Sequence, residues 1–434
     1  MLGPSIHPPL TEFEVQLEAN RCLNCYDAPC TNACPTHIDV ASFIGKITTG
    51  NLKGSARVIL DANAMGASCA RVCPTEQLCE GACVYEKDDS PIRIGDLQRY
   101  AVDWVRERGI ALFEPGLPTG KSVGVIGGGP AGLSAARDLR RLGHDVTIFE
   151  AHSQLGGLNT YGIVPFRLDI ETALWEAQQV VDLGAQVRTA VRVGVDISFD
   201  SLLADFDALI LACGMGRVPK LDIPGEGLEG VLDALEFIER VKGGADVGDV
   251  GRHVVVIGAG NTAIDALTCS RRLAAHAHAQ TSVTMYYRRG EDQMSAYRFE
   301  YDFAKMEGVE FRFFCAPVRI LGENNRVRAV EFVKTRAPFE PIPGSEFIVE
   351  ADVVISAIGQ SRLLDTFERL GVAHDGGVVQ VDTALRTTRP GVFAAGDCIF
   401  AKGSREAMVV EAAEQGKIAA RSVDAYLREG ARCG

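Results

Sequence analysis

Eight of the thirteen cysteines fall within the first 83 residues of this 434-residue chain, in two tight runs. The first is Cys22, Cys25, Cys30 and Cys34, followed by Pro35. The second is Cys69, Cys73, Cys79 and Cys83, with Pro74 directly after Cys73. Thiolates at such short, mixed spacings wrap a multi-atom metal centre. A run that closes in Cys-Pro is a ferredoxin habit, in which the last cysteine ligates the neighbouring cluster. A disulfide framework suits short secreted domains, whereas this chain is long and has five further scattered cysteines. Structural zinc favours two CxxC pairs, and only Cys22 and Cys25 are so spaced; zinc is the alternative. The N-terminal segment is therefore expected to hold two iron–sulfur clusters that move electrons.

Length suggests about three domains, and a hydrophobic content of 47% supplies large cores. The net charge of −13 argues against nucleic acid or an anionic membrane as partner. No apolar run approaches the ~18 residues of a membrane span. The opening MLGPSIHPPLTEFEV lacks the basic start and apolar core of an export signal. Free thiols and oxygen-sensitive clusters suit a reducing compartment, so a cytoplasmic location is expected.

Between the cysteine runs, Ile38, Val40, Phe43, Ile44 and Ile47 recur at helical spacing, with Asp39 as a cap and Gly50 as a stop. Further helices are expected over 52–62 and 94–108, and LFEPGLPTGK reads as a linker. The texture then changes. The apolar strand Ser122–Ile126 leads into GGGPAG, a helix over 131–142 and the strand Asp145–Phe149. The pattern returns as His253–Ile257, GAGNTA, a helix and Ser282–Tyr287. Later strands end in Ala-x-Gly, at Ala212-Cys213-Gly214 and at Ala357-Ile358-Gly359.

The fold class is thus α/β: an N-terminal α-helical iron–sulfur domain followed by two Rossmann-like dinucleotide-binding domains. The expected boundaries are 1–115 for the helical domain and 246–365 for the NAD(P)H domain. The FAD domain takes 120–245 and 366–434.

Gly127, Gly129 and Gly132 form GxGxxG between a strand and a helix. They permit, in turn, the tight turn, close approach of a pyrophosphate, and packing of helix on strand. The helix N-terminus offers free N–H groups and partial positive charge. Glu150, ending the second strand, can accept from ribose hydroxyls. Gly156-Gly157-Leu158 would let the chain cross close to a bulky cofactor, and PGVFAAGDC, with Gly396 and Asp397, is similar to the C-terminal FAD motif of two-dinucleotide flavoproteins. Asp397 also reads as a helix N-cap. In the second loop, Gly258, Gly260, Asn261, Thr262 and Ala263, the following strand ends in Arg288-Arg289 instead of an acid. Arginine pairs with a 2′-phosphate that an acid would repel, so NADPH is expected over NADH.

Hydride arrives as two electrons and iron–sulfur clusters take one at a time; a flavin converts between them. The expected order is NADPH, FAD, the two clusters, then an acceptor. Cys213, Cys269, Cys315 and Cys398 stand isolated in sequence, so a disulfide reductase is not expected.

CLNCYDAPCTNACPTHIDVASFI, CARVCPTEQLCEGAC and PIRIGDLQRYAVDW resemble the N-terminal part of dihydropyrimidine dehydrogenase, which in bacteria is a separate FAD and iron–sulfur subunit. GGLNTYGIVPFRL, YYRRGEDQMSA and VFAAGDC extend the resemblance over nearly the whole chain. The glutamate synthase small subunit is a more distant relative of the same plan. The resemblance implies that one cluster takes Cys22, Cys25, Cys30 and Cys83, and the other Cys34, Cys73, Cys79 and Gln98. Simple counting would instead give Cys69 a ligand role and Gln98 none.

The resemblance also places Leu158, Arg167, Ala357 and Gly359 among the cofactor-binding residues. A basic residue that assists the 2′-phosphate in the animal enzyme falls at Ser295 here. The implied activity is that of an electron-input subunit, passing electrons to an FMN-containing partner that reduces uracil or thymine. The chain shows no barrel for that chemistry. Rival readings are the small subunit of a glutamate synthase or an electron-bifurcating transhydrogenase, or a non-enzymatic iron–sulfur scaffold or sensor.

Overall fold

The computed structural model describes residues 2–87, 90–245, 250–277, 281–400 and 407–432. The chain forms two compact units. The larger comprises Ile6–Thr160, Ile170–Met215 and Arg362–Gly434, the smaller Met1–Ser5, Tyr161–Asp169 and Gly216–Ser361.

The larger unit begins with short helices. Glu12–Asn20 starts with a capping box between Thr11 and Glu14. Val40–Thr48 is capped by Asp39, which accepts from Ser42 N at 3.0 Å, and Leu52–Ala62 by Asn51. Gly66–Val72 carries Cys69, and Ile94–Glu107 carries Gln98. Their apolar faces meet in one core around Phe43, Ile44, Ile47, Ile59 and Leu97. That core runs without a break into Val123, Val125, Ala135 and Ile148 of a five-stranded parallel sheet. Its strand order is Val392–Ala394, Ala208–Leu211, Ser122–Ile126, Asp145–Phe149, Gln186–Arg188. The helices Pro130–Arg141 and Val409–Arg432 cross closely: a Cβ on Gly416 would lie 2.1 Å from Ala131 O.

The smaller unit repeats the sheet in the order Val231–Asp233, Val353–Ser356, His253–Ile257, Ser282–Tyr287, Glu310–Phe313. Its edge strand precedes the glycine loop in the chain, which is why this unit takes up the chain at Gly216 and not at 246. An antiparallel sheet of Cys315–Glu323, Arg326–Arg336, Glu340–Pro341 and Phe347–Glu350 is added to it. Asn324 and Asn325 form the two-residue turn of its long hairpin, both at positive φ, a conformation that short amide side chains tolerate.

Charged side chains of the dinucleotide fold reach the helix ends of the cysteine-rich region. Arg137 donates to Leu60 O and to Asp61 O, and Lys417 donates to Ala62 O at 2.9 Å and to Thr36 O at 3.2 Å. These are the last carbonyls of Leu52–Ala62, which the helix cannot satisfy itself. At the start of Gly66–Val72 the charge is reversed. Glu176 accepts from Ala67 N at 2.7 Å, Ser68 N at 2.9 Å and Ser68 Oγ. Cations at a C-terminus and an anion at an N-terminus are the signs that the helix dipole favours.

Burial pushes the Glu176 carboxyl up to about 7 from the ordinary 4.5, against the pull of those hydrogen bonds. The folded chain therefore holds an extra proton between these two values. The stability this group contributes is complete below 4.5 and falls as pH rises towards 7. Glu176→Gln keeps an acceptor oxygen and cannot ionise. Its stability relative to wild type, measured by chemical denaturation, should improve by up to ~3 kcal/mol between pH 5 and pH 8. A difference independent of pH counts against this account.

Candidate functional site

Cys22, Cys25, Cys30 and Cys83 line a single pocket, walled by Val40, Ile44, Ile92 and Ile94. The thiols are free. Burial pushes Cys30 up to about 11, and the neighbouring Cys22 and Cys83 add to the rise. As bare thiols they keep their protons. A cationic core would release those protons and take up the thiolates, so the donor set fits an iron–sulfur cluster. Among the described residues no three His, Cys, Asp or Glu side chains converge as for a single metal ion.

The second group is Cys34, Cys69, Cys73 and Cys79. A hydrogen bond to Cys69, then burial, holds the Cys73 thiol far above its usual range; Cys79 and Cys34 add to this. Burial does the same for Cys79. Cys34 Sγ lies 3.3 Å from Thr36 Oγ1. Gln98 is buried, and its Nε2 donates to Gly66 O at 2.7 Å. The amide nitrogen is thereby engaged, and the oxygen remains as the donor atom a metal would use.

The first glycine loop is packed against its own surroundings. A Cβ on Gly127 would meet Ala212 O at 2.2 Å, and one on Gly132 would meet Gly127 O at 1.9 Å. Glu150 accepts from Gly128 N at 2.7 Å and from His152 N at 2.8 Å. Burial raises its carboxyl, but these bonds and His152 bring it below the usual range. Gly156 N donates to Gly128 O at 2.7 Å, so the second glycine pair crosses directly over the first loop. Gly157 has φ +55°, and a Cβ there would lie 2.8 Å from Gly129 Cα. Leu158 follows, partly exposed.

Gly396 N donates to Gln415 Oε1 at 2.7 Å. Asp397 opens a short 3₁₀ turn whose cap is Gly396, so it does not serve as that turn's N-cap. Burial raises the Asp397 carboxyl and Arg362 opposes the rise. Cys213 and Cys398, expected to be isolated, meet here. Parallel pairing of Ala208–Leu211 with Val392–Ala394 brings the two strand ends together, and the thiols hydrogen-bond.

In the smaller unit a Cβ on Gly258 would lie 2.2 Å from Ala357 O, and the carbonyl of Ala259 accepts from Ala296 N. Asn261 Oδ1 accepts from Tyr297 N at 2.9 Å, and Thr262 continues the helix Asn261–Ala277. Ser295 faces Gly260: a Cβ on Gly260 would lie 3.3 Å from its Oγ. Gly359, at φ +107°, has open space around it. Arg288 and Arg289 follow the strand Ser282–Tyr287. Arg167 is placed in a buried ion cluster, paired with Asp265 at 2.9 Å and with Glu300.

Residues 121–416 match the family described as pyridine nucleotide-disulphide oxidoreductase. Residues 4–110 match dihydropyrimidine dehydrogenase domain II, 4Fe-4S cluster. The chain is similar to the NAD-dependent dihydropyrimidine dehydrogenase subunit PreT of Salmonella typhimurium, with 35% identity over 98% of this chain and 97% of that protein. It is also similar to the glutamate synthase [NADPH] small chain of Escherichia coli, with 33% identity over 97% of this chain and 93% of the other. Among solved structures, Mycobacterium tuberculosis FprA in complex with NADPH gives a TM-score of 0.57 at 18% identity, covering 72% of this chain and 87% of FprA. Thermoplasma-type thioredoxin reductase (T. acidophilum) gives 0.55 at 22%, covering 71% and 99%. At these identities the structures speak for the fold alone.

The Gly157–Gly129 approach generates a direct test of the cradle. Gly157→Val adds a β-branched side chain where φ is positive and the opposing backbone is too close. The purified variant should lose most of its FAD while keeping its iron, read as the ratio of extracted flavin to iron. An unchanged flavin content would place the cofactor elsewhere.

Proposed function

The chain belongs to the family of NAD(P)H-dependent flavin and iron–sulfur oxidoreductases that includes the subunit PreT and the glutamate synthase small chain, and from that premise we propose that it is the electron-input subunit of a dihydropyrimidine dehydrogenase. In this reading it oxidises NADPH and delivers the electrons to an FMN-bearing partner subunit. The partner reduces uracil or thymine to the 5,6-dihydropyrimidine. The observation that carries the reading is the continuity of the larger unit. One core joins a dinucleotide cradle to two groups of converging thiols.

Bound FAD supplies the conversion of a two-electron hydride into the single electrons that clusters pass on. The chain's residues then have these roles. Gly127, Gly129 and Gly132 admit the pyrophosphate to the N-terminus of Pro130–Arg141. Glu150 faces the ribose, Gly157 and Leu158 cover the loop, and Gly396 and Asp397 hold the ribityl chain. Cys22, Cys25, Cys30 and Cys83 hold one [4Fe–4S] cluster, and Cys34, Cys73, Cys79 and Gln98 the other. Gly258, Gly260, Asn261, Thr262, Ala357 and Gly359 shape the nicotinamide nucleotide's site. Arg288 and Arg289 select its 2′-phosphate.

The test uses anaerobically purified chain. It should carry one FAD and about eight irons, from two four-iron clusters. It should reduce a one-electron dye with NADPH, and support uracil reduction only with an FMN subunit added. Two zincs without acid-labile sulfide, or no oxidation of NAD(P)H, would overturn the reading.

The second cluster's ligands are separable. An amide oxygen is harder than a thiolate and neutral, so it sets the cluster's net charge and potential. Gln98→Cys should shift one midpoint potential, followed by redox titration with electron paramagnetic resonance, and slow electron exit while flavin reduction stays fast. Cys69→Ala should leave the iron content unchanged. Loss of four irons in Cys69→Ala, with Gln98→Ala keeping them, would give the ligand role to Cys69.

A further inference from the structure

The two arginines after Ser282–Tyr287 lean on a third residue. Phe339, partly exposed, sits beyond the end of Arg326–Arg336. The Arg288 guanidinium carbon lies 4.7 Å from the centre of its ring and that of Arg289 5.2 Å. Backbone bonds fix the hairpin to the strand end. Thr335 Oγ1 donates to Arg288 O at 2.8 Å, Thr335 N to Phe314 O at 2.9 Å, and Phe314 N to Arg289 O at 3.1 Å. The nearest acid in the hairpin, Glu340, is taken by Arg336 Nε at 2.9 Å. Arg289 Nε is buried without a hydrogen-bond partner among the described residues.

Two guanidinium groups crowded onto one ring repel each other, and the negative face of the ring holds them there. A free arginine loses rotamer freedom when it binds phosphate; stacking has already removed much of that freedom. The pair is thus preset for a doubly charged oxyanion. With Ser295 at the glycine loop in place of a further cation, the preset pair matters more.

We propose that Phe339 is a positioning residue for the nucleotide's 2′-phosphate, holding Arg288 and Arg289 in the arrangement that takes the dianion. The proposal rests on reading those arginines as the 2′-phosphate site. A ring in a hairpin remote in sequence from the glycine loop would then help to set NADPH against NADH.

Binding of 2′,5′-ADP and of 5′-AMP to the holoprotein, by calorimetry, tests it. Wild type should prefer 2′,5′-ADP. Phe339→Ala should weaken 2′,5′-ADP by about fivefold, the scale of a partly exposed cation–π contact, and leave 5′-AMP within about twofold. Phe339→Trp, which keeps an aromatic face, should bind as wild type does. Unchanged 2′,5′-ADP affinity in Phe339→Ala, with the loss still seen in Arg288→Gln, overturns the role of Phe339 and spares the arginines. Equal weakening of both ligands shows a merely structural ring and overturns it too. A wild type that does not distinguish the two ligands overturns the phosphate site and the proposal together.

Discussion

The position of the thiols depends on buried charges that meet helix ends. Arg137, Lys417 and Glu176 all belong to helices of the dinucleotide fold, and all end on backbone of the cysteine-rich region. A charge taken out of water is costly unless its hydrogen bonds are replaced. Here the replacements are carbonyls and N–H groups that two short helices leave open. Each side therefore satisfies the other. Gly66–Val72 is too short to be stable alone, yet it carries Cys69 and leads to Cys73. Glu176 at its first turn and Gln98 at Gly66 O hold it from two directions.

The two glycine loops show how one architecture is turned to different cofactors. Both close over a carbonyl of the neighbouring strand end, Ala212 or Ala357, where a side chain cannot fit. The difference lies at the end of the second strand. Glu150 folds back onto Gly128 N, and those donors keep it ionised at a position suited to hydroxyl groups. Arg288 and Arg289 have no such backbone partner for their guanidinium groups and lie on Phe339 instead. Hydrogen bonds to the loop set the first site; a stack on an aromatic ring sets the second.

The repeated strand, loop, helix and strand were legible because each rests on local rules: continuous apolar runs, glycine at a tight turn, a polar strand end. Ser122–Ile126, Asp145–Phe149, His253–Ile257 and Ser282–Tyr287 are found where the pattern puts them. The helices Leu52–Ala62 and Ile94–Glu107 were legible for the same reason. Contacts distant in the chain were not. Cys213 and Cys398 meet only because two parallel strands end side by side. Arg167 gives no local sign that Asp265 and Glu300 will enclose it. The antiparallel sheet did leave a signal that the sequence reading passed over. Asn324-Asn325 between alternating apolar residues is a hairpin turn, and that hairpin leads to Phe339.

The continuity of the larger unit also bears on why the cysteine-rich region is not a tethered module. Domains that meet through a small polar interface move relative to one another. Here Phe43 and Ile59 belong to the same core as Val123 and Ala135, and the buried charges add direction to that apolar contact. Single-electron transfer benefits from donor and acceptor held at a fixed separation, since no closing motion then has to precede each of the two electrons that follow one hydride. A rigid join costs the chain freedom it does not need, and the charged caps specify which helix ends face the sheet. The same residues that stabilise the fold thus fix the geometry between the flavin cradle and the thiols.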